Sequence, residues 1–236
     1  MGGHVGAPHM MIASHMIIAV PVKDLVNAKQ RLVPVLTAPE RAALARTMLG
    51  DVLRALGAAR VDEIWVVTRD PAVTVIANDF RCRVVPEDAN RGHTAAVKAA
   101  QHAATAAGAT TFLTIPGDVP CVSAAEIEAL AGAVRGTTRA AAFAPSRSGL
   151  GTNGVALTPP DVMPLRFGEP SFADHLDAAR RHGLEPRTLH LPGLGLDVDD
   201  ADDLRSLLSL GAATESARLL HTWSIAERLR AEQART

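Results

Sequence analysis

The sequence predicts a single α/β domain with a doubly wound, mostly parallel sheet. Short apolar runs alternate with longer helical patterns through the first half, and the connections between them are short. The runs are almost continuously apolar, which is typical of strands covered on both faces. A length of 236 residues suits one domain, and 47% hydrophobic residues can form a sizeable core, so global disorder is excluded.

The first half contains four strand patterns with capping signals between them. Thr37 and Ser123 each stand three residues before a glutamate, the spacing of a capping box, and Asp70 precedes a proline. These signals predict helices running to about Leu56, Phe80 and Val134, and an alanine-rich stretch predicts another running to about Ala107. The predicted strands are Met16–Val22, Ile64–Thr68, Cys82–Pro86 and Thr111–Pro116.

In the second half the strand patterns lie closer together, which predicts some antiparallel pairing. The predicted strands are Ala140–Ala144, Val155–Thr158 and Arg187–Leu191, with a short edge segment at Gly195–Asp199. The predicted helices are Ser171–His182, Asp200–Leu210 and Thr214–Glu232. The apolar pattern of the last helix, at Leu219, Leu220, Trp223, Ile225 and Leu229, favours either core packing or a homodimer contact.

We predict two parts for the chain. Residues 1–15 are expected to be a disordered N-terminal tag, because Ser14-His15-Met16 resembles a cloning scar and no apolar signal region is present. Residues 16–236 are expected to form the single domain.

Composition excludes several classes of function. The net charge is -1, so general binding to nucleic acid is not expected. No run of 18 apolar residues occurs, so no membrane-spanning helix is predicted. Two cysteines, Cys82 and Cys121, cannot form a disulfide framework, and a cytoplasmic location is the simpler expectation.

Lysine is rare in this chain, which draws attention to the loop after the first strand. The chain has only three lysines, and Lys23 and Lys29 lie in this loop together with Arg31. A cationic loop at the carboxyl end of a strand suits the binding of a triphosphate, although a solvated surface loop is an equally plausible interpretation. No P-loop or dinucleotide-binding motif is present.

Three carboxylates form a candidate metal site. Asp118 follows the strand at Thr111–Pro116, where a carboxylate is well placed to hold a divalent cation or to stabilise a turn. Asp197 and Asp199 would project to one face if the chain there is extended. Asp200 is assigned to capping the next helix. Oxygen ligands favour Mg²⁺ or Mn²⁺ over zinc.

Two loops rich in small residues contain further candidates. The first includes Thr152 and Asn153, which offer neutral hydrogen bonds. The second includes Gly168, which permits close approach of the backbone, and Ser171, which is predicted to cap the helix that starts there. His175 lies one turn later and is expected to be a packed or surface histidine, because the histidines lack zinc-ligand spacing.

The order and spacing of these motifs resemble the CofC/FbiD family of guanylyltransferases. The family makes an intermediate of coenzyme F-420 from 2-phospho-L-lactate or phosphoenolpyruvate. The resemblance extends from about Met16 to Leu210 and rests on these segments: Pro21-Val-Lys23, Ala28-Lys-Gln-Arg-Leu32, Pro116-Gly-Asp-Val-Pro120, Gly151-Thr-Asn153, Phe167-Gly168 with Ser171 and His175, and Leu196-Asp-Val-Asp199.

The resemblance implies a GT-A-like, Rossmann-like nucleotidyltransferase fold, a three-layer sandwich with a mostly parallel mixed sheet. It also implies that GMP passes from GTP to the phosphate of a small phosphorylated acid, with release of pyrophosphate. The implied ligands of Mg²⁺ are Asp118, Asp197 and Asp199. The implied residues at the GTP are Lys23, Lys29, Arg31, Pro86, Gly92 and Thr94, and those at the acid are Thr152, Asn153, Gly168 and Ser171.

Several alternatives accompany this interpretation. A molybdenum-cofactor-type or sugar-phosphate nucleotidyltransferase shares the fold, as would a non-catalytic nucleotide-binding protein. Gly92-His93-Thr94 departs from the Gly-Leu-Asn that relatives often carry, so recognition of the base is open. Phosphoenolpyruvate is the first expectation for the acid, ahead of 2-phospho-L-lactate and 3-phospho-D-glycerate. The product would pass to the next transferase of coenzyme F-420 synthesis.

Overall fold

A computed structural model describes residues 14–25, 28–87, 92–210 and 213–233. Within these ranges a seven-stranded sheet lies between two layers of helices. The strands are β1 (Met16–Pro21), β2 (Glu63–Thr68), β3 (Arg83–Pro86), β4 (Thr111–Thr114), β5 (Ala140–Pro145), β6 (Thr152–Thr158) and β7 (Arg187–Thr188).

The strand order is β3-β2-β1-β4-β6-β5-β7. Strands β1 to β4 are mutually parallel, while β6 runs antiparallel to both β4 and β5, and β7 pairs parallel to β5. The predicted fold class and the antiparallel pairing of the second half are therefore confirmed. The carboxyl ends of β1 and β4 lie side by side at the centre of the sheet, where ligands of open α/β sheets bind.

The helices are α1 (Ala38–Ala58), α2 (Pro71–Asp79), α3 (His93–Ala106), α4 (Ala124–Gly132), α5 (Ser171–Arg181), α6 (Ala201–Leu210), α7 (Glu215–Thr222) and α8 (Ile225–Gln233), with one turn of 3-10 helix at Gln30–Leu32. Both predicted capping boxes are present, at Thr37 and at Ser123, and the Asp70 side chain caps α2. No helix in the described ranges has the length and apolar character needed to cross a bilayer.

Each face of the sheet is covered by its own hydrophobic core. Helices α1, α2 and α4 pack on one face, around Leu49, Val66 and Leu113. Helices α3 and α5 pack on the other, around Trp65 and Phe112. The alternation of side chains along each strand supplies both cores from the same strands, which explains why the strand sequences read as continuously apolar.

A third apolar cluster joins the C-terminal helices to the loops at the carboxyl edge of the sheet. Leu220 and Ile225 pack there with Leu32 of the loop after β1 and with Leu196 and Val198. Core packing, one of the two predicted explanations, therefore accounts for the apolar pattern of the last helical region. That region is two helices rather than one, because the backbone turns at Ser224, whose φ is 52°.

Helix α7 is anchored to α1 by a buried carboxylate. Asp51 accepts hydrogen bonds from the backbone N–H of Glu215 at 3.1 Å and of Ser216 at 2.9 Å, and from the Ser216 hydroxyl at 2.6 Å. A carboxylate suits this place because the first N–H groups of a helix lack partners within the helix.

Four local predictions are corrected by the structure. The segment 195–199 is not an edge strand, strand β7 is only two residues long, and β6 begins at Thr152 rather than Val155. His15, assigned to the disordered tag, instead bonds Thr110 through its backbone N–H at 2.9 Å and lies 2.9 Å from Glu63 Oε1. The remainder of the predicted tag, residues 1–13, lies outside the described residues.

Candidate active site

A cavity of about 500 Å³ opens at the carboxyl ends of β1 and β4. Its lining includes Lys23 and Lys29 from the loop after β1, Asp118 from the loop after β4, Asp199 from the segment before α6, and His93 at the start of α3. Residues that are far apart in the sequence meet here because parallel strands end at the same edge of the sheet.

Lys29 is the centre of the charged cluster in this cavity. Its ammonium lies 2.5 Å from Asp118 Oδ2 and 2.9 Å from Asp199 Oδ1, and its side chain is only 7% exposed. The backbone of Lys29 is left-handed, with φ 58° and ψ 46°. A lysine rarely adopts that conformation, so the surrounding loop holds it there at some cost.

The electrostatics of the cluster follow from this arrangement. Burial alone would lower the pKa of Lys29, but Asp118 and Asp199 together raise it above its ordinary value. Burial alone would raise the pKa of Asp118, and the Lys29 ammonium more than reverses this, so its pKa lies below the ordinary value. Lys29 therefore stays a cation and Asp118 an anion at neutral pH.

The two loops that carry the carboxylates are bonded to each other. Val198 donates its backbone N–H to the carbonyl of Asp118 at 3.1 Å. Asp203 accepts from the backbone N–H of Asp199 at 2.9 Å and is paired with Arg147 at 2.7 Å. These bonds, rather than strand pairing, hold the chain between 196 and 199 beside the loop after β4. The predicted capping role of Asp200 is confirmed by its bonds to the N–H groups of residues 202 and 203.

Asp197 connects this cluster to strand β6. Its Oδ1 accepts from Asn153 Nδ2 at 3.0 Å. Burial raises the pKa of Asp197, the Asn153 bond opposes that change, and the nearby charges of Asp118 and Asp199 raise it further. Asn153 is the extra residue of a bulge, since Ala144 pairs with Gly154 and Pro145 pairs with Thr152. Such a bulge redirects side chains at the end of a strand.

Thr152, Ser171 and His175 form a second, uncharged cluster beside Asn153. Thr152 Oγ1 is 2.9 Å from His175 Nδ1, and the Ser171 hydroxyl donates to Thr152 Oγ1 at 3.3 Å. The predicted cap of α5 by Ser171 is wrong, because this hydroxyl bonds to Thr152 and no side chain caps the helix. The three side chains are buried.

The other candidate residues are more dispersed. Arg31 is exposed and lies outside the lining of the cavity, and Pro86 is exposed at the end of β3. Gly92 lines a small recess together with Lys23. Thr94 does not line the main cavity, and its hydroxyl accepts from the N–H of Phe167 at 2.9 Å.

Gly168 has a φ of 117°, a backbone conformation that favours glycine.

The structure brings Lys23, Lys29, Asp118 and Asp199 into one cavity. Asp197 is connected to this cavity by the charges of Asp118 and Asp199, and Asn153 is bonded to Asp197. Thr152 is the neighbour of Asn153 and bonds instead to His175 and Ser171. Among the residues that the structure describes, no group of three His, Cys, Asp or Glu side chains has the geometry of a metal site. The predicted magnesium site stays a prediction.

Two histidines lie at the candidate site although no role there was predicted for them. His93 lines the cavity and packs edge-on against Phe167 with ring centres 4.7 Å apart, and burial lowers its pKa to about 4. His175 was expected to be a packed or surface histidine, and it is packed, with hydrogen bonds to Thr152 and to the backbone N–H of Arg166. Its place one turn after Ser171, within a segment that carries the family resemblance, pointed toward the site.

The fold belongs to the nucleotidyltransferase class. A structure from Desulfovibrio desulfuricans superposes with a TM-score of 0.75 at 19% identity, covering 92% of this chain and 97% of that one. A nucleotidyl transferase from Methanothermobacter superposes with a TM-score of 0.61 at 18% identity, covering 88% and 99%. At these identities the likeness concerns the fold alone.

The chain belongs to the CofC-like guanylyltransferase family. The family described as "Guanylyl transferase CofC like" matches residues 16–234. A phosphoenolpyruvate guanylyltransferase of Conexibacter woesei is 38% identical over 82% of this chain and 87% of its own length. Another from Sphaerobacter thermophilus is 38% identical over 85% and 98%. A 2-phospho-L-lactate guanylyltransferase of Methanothermobacter thermautotrophicus is 32% identical over 85% and 87%. The protein is therefore a nucleotidyltransferase, and the family resemblance of its motifs is confirmed.

Proposed function

We propose that the protein is a phosphoenolpyruvate guanylyltransferase, which transfers GMP from GTP to the phosphate of phosphoenolpyruvate. The product would be enolpyruvyl-2-diphospho-5'-guanosine, or lactyl-2-diphospho-5'-guanosine if 2-phospho-L-lactate is the acid. The observation that carries the proposal is the cavity in which Lys29 lies between Asp118 and Asp199. The names of the relatives support the choice of acid.

The reaction needs positioning and charge neutralisation more than a covalent nucleophile. An oxygen of the acid's phosphate attacks the α-phosphorus of GTP and forms a new P–O bond. The bond from the α-phosphorus to the bridging oxygen breaks, and pyrophosphate leaves with the electron pair. Because the acid's phosphate is already ionised, no general base is required. Lys23 and Lys29 supply positive charge for the triphosphate, with Arg31 as an outer cation.

The carboxylates suit a divalent cation in their chemistry. Asp118 and Asp199 already hold a cation between them, the Lys29 ammonium, and Asp197 is close enough for its pKa to respond to both. All three would hold Mg²⁺ through oxygen ligands. When bound, Mg²⁺ would neutralise charge on the phosphates.

The acid would lie on the side of β6 and α5. Thr152, Asn153 and Ser171 present neutral polar groups there, and Gly168 leaves the backbone accessible. The acid would then lie next to Asp197, since Asn153, in the bulge of β6, donates to Asp197 Oδ1. Pro86, Gly92 and Thr94 would flank the nucleotide. We further propose that the enzyme acts in the cytoplasm and that its product passes to the next transferase of coenzyme F-420 synthesis.

Acid-dependent release of pyrophosphate tests the proposal. The full chain is incubated with GTP and Mg²⁺, alone and with phosphoenolpyruvate, 2-phospho-L-lactate or 3-phospho-D-glycerate. Mass spectrometry then identifies the guanylated product in a mixture of the three acids. We expect phosphoenolpyruvate to dominate. The proposal would be overturned if no phosphorylated acid stimulated the release of pyrophosphate. It would also be overturned if a sugar phosphate stimulated release more strongly than these acids, or if CTP supported more release than GTP.

The role of Asp118 is tested by Asp118→Asn. The amide keeps the size of the side chain but removes the charge that Lys29 contacts. We expect turnover to fall about 1,000-fold or more, while the circular dichroism spectrum stays that of the parent. Near-normal turnover would refute the assignment of Asp118 to the reaction.

A further inference from the structure

His175 is a fully enclosed imidazole on α5, with 1% of its surface exposed. Its ring stacks on Phe143 with centres 5.4 Å apart and meets Phe167 edge-on at 5.0 Å. Both ring nitrogens are nevertheless bonded, one to the backbone N–H of Arg166 and one to Thr152. In an apolar setting a buried imidazole needs partners for both nitrogens, and these two bonds fix the orientation of the ring.

The Arg166 contact determines which nitrogen of His175 carries the proton. The backbone N–H of Arg166 donates to Nε2 at 3.1 Å, and an amide N–H cannot accept a hydrogen bond. Nε2 must therefore be the unprotonated nitrogen of a neutral ring. Nδ1 then carries the hydrogen and donates it to Thr152 Oγ1, 2.9 Å away. Burial lowers the pKa of His175 to about 4, so this neutral form persists at neutral pH.

Thr152 Oγ1 therefore accepts two hydrogen bonds. It receives the Nδ1–H of His175 and the hydroxyl hydrogen of Ser171, which lies 3.3 Å away. A hydroxyl oxygen has two lone pairs and one hydrogen. With both lone pairs engaged, Thr152 can interact with a further group only by donating its own hydrogen.

We infer that His175 is a positioning residue that makes the Thr152 hydroxyl an obligate hydrogen-bond donor to an anionic oxygen of the acid substrate. This inference rests on the proposed function and concerns specificity at the acid side. A donor fixed in this way favours a carboxylate or phosphate oxygen, and hydrogen bonds to charged acceptors are the stronger kind. His175 does not itself need to touch the substrate.

The expected signature is a defect confined to the acid. Without His175, the Thr152 hydrogen can rotate into the vacated position and the fixed donor is lost. We expect His175→Phe to raise the KM for phosphoenolpyruvate on the order of 10- to 100-fold. The KM for GTP should change less than about threefold, because the charged cavity around Lys29 is not involved.

Two companion variants separate orientation from packing. His175→Asn keeps a donor N–H near the position of Nδ1. Its KM for the acid should therefore be closer to that of the parent than the KM of His175→Phe is. Phe143→Leu disturbs the ring that stacks on His175 but leaves both hydrogen bonds in place. It should lower the melting temperature with little change in the KM for the acid. An equal effect of Phe143→Leu and His175→Phe on that KM would refute the inference.

A double-mutant cycle with Thr152→Val gives the strictest test. If His175 acts through the Thr152 hydroxyl, adding His175→Phe to Thr152→Val should raise the KM for the acid no further. Additive increases would overturn the inference. Long-range ¹⁵N–¹H NMR of the unmodified protein reports the tautomer without any assay, and an Nε2–H tautomer would also refute it. A parent enzyme that uses no phosphorylated acid would instead contradict the proposed function.

Discussion

The buried ring of His175 predicts how the stability of the protein changes with pH. Burial lowers its pKa from 6.5 to about 4, although the nearby Asp174 carboxylate raises it slightly. As pH falls below 6.5, the unfolded chain takes up a proton that the folded chain accepts only near pH 4. The free energy of unfolding therefore falls across this interval, and the stabilisation is complete only above pH 6.5.

The size of the effect follows from the two pKa values. The difference between a pKa of 6.5 and one of about 4 corresponds to roughly 3 kcal/mol, of which roughly 2 kcal/mol is lost between pH 7 and pH 4.5. His175→Phe should remove this dependence while also lowering stability at pH 7, because the N–H of Arg166 loses its acceptor. His93 has a similarly low pKa but is present in both proteins, so its contribution cancels from their difference.

Urea unfolding at several pH values between 7 and 4.5 measures this difference. The gap in unfolding free energy between the parent and His175→Phe should narrow by about 2 kcal/mol on going to pH 4.5. His182→Asn, at the exposed end of the same helix, is the matched control and should follow the parent curve. Parallel curves for the parent and His175→Phe would show that His175 is not a buried neutral group.

Three further predictions concern charge, capping and backbone space. Lys29→Met should lower kcat/KM about 100-fold or more and the free energy of unfolding by about 1–3 kcal/mol. Lys98→Met, at an exposed site on α3, is the control and should change neither quantity. Equal effects of the two variants in steady-state assays and urea titrations would contradict the role of Lys29. Asp51→Ala should lower the melting temperature by about 4–10 °C because the N-terminal N–H groups of α7 lose their acceptor, and an unchanged calorimetric trace would contradict this. Gly193→Ala should reduce both the free energy of unfolding and kcat/KM, because a β-carbon at residue 193 would clash with the carbonyl of Cys121. Parent values of both quantities would show that the backbone around residue 193 can move to accept the β-carbon.

The parallel half of the fold was predictable because its signals are local. Apolar runs, two capping boxes and the Asp70-Pro71 start each depend on neighbouring residues, and all appear as expected. The segment around Asp197 is different, because it is held by bonds to residues distant in the sequence, such as the carbonyl of Asp118. No pattern within the segment itself could distinguish that arrangement from an edge strand.

The site was predictable in its residue types but not in its contacts. The scarcity of lysine pointed to Lys29, and the strand ends pointed to Asp118, yet their direct ion pair depends on a left-handed backbone that no motif indicates. Ser171 lies at the start of a helix, a position at which a serine is typical of a capping residue. Its hydroxyl bonds to Thr152 because the bulge in β6 brings that residue within reach.

The third apolar cluster has a consequence for the order in which the protein can assemble. Leu32, near the beginning of the chain, shares this cluster with Leu220 and Leu229, near its end, and Arg228 reaches Glu40 across 188 positions of sequence at 2.9 Å. Contacts of such long range form late, since the loop they close is almost the whole chain. A nascent chain whose last two helices are still in the ribosome can pair its parallel strands, but it lacks the packing that supports the Lys29 loop. The enzyme should therefore gain its activity only after α7 and α8 have been made and have packed against this loop.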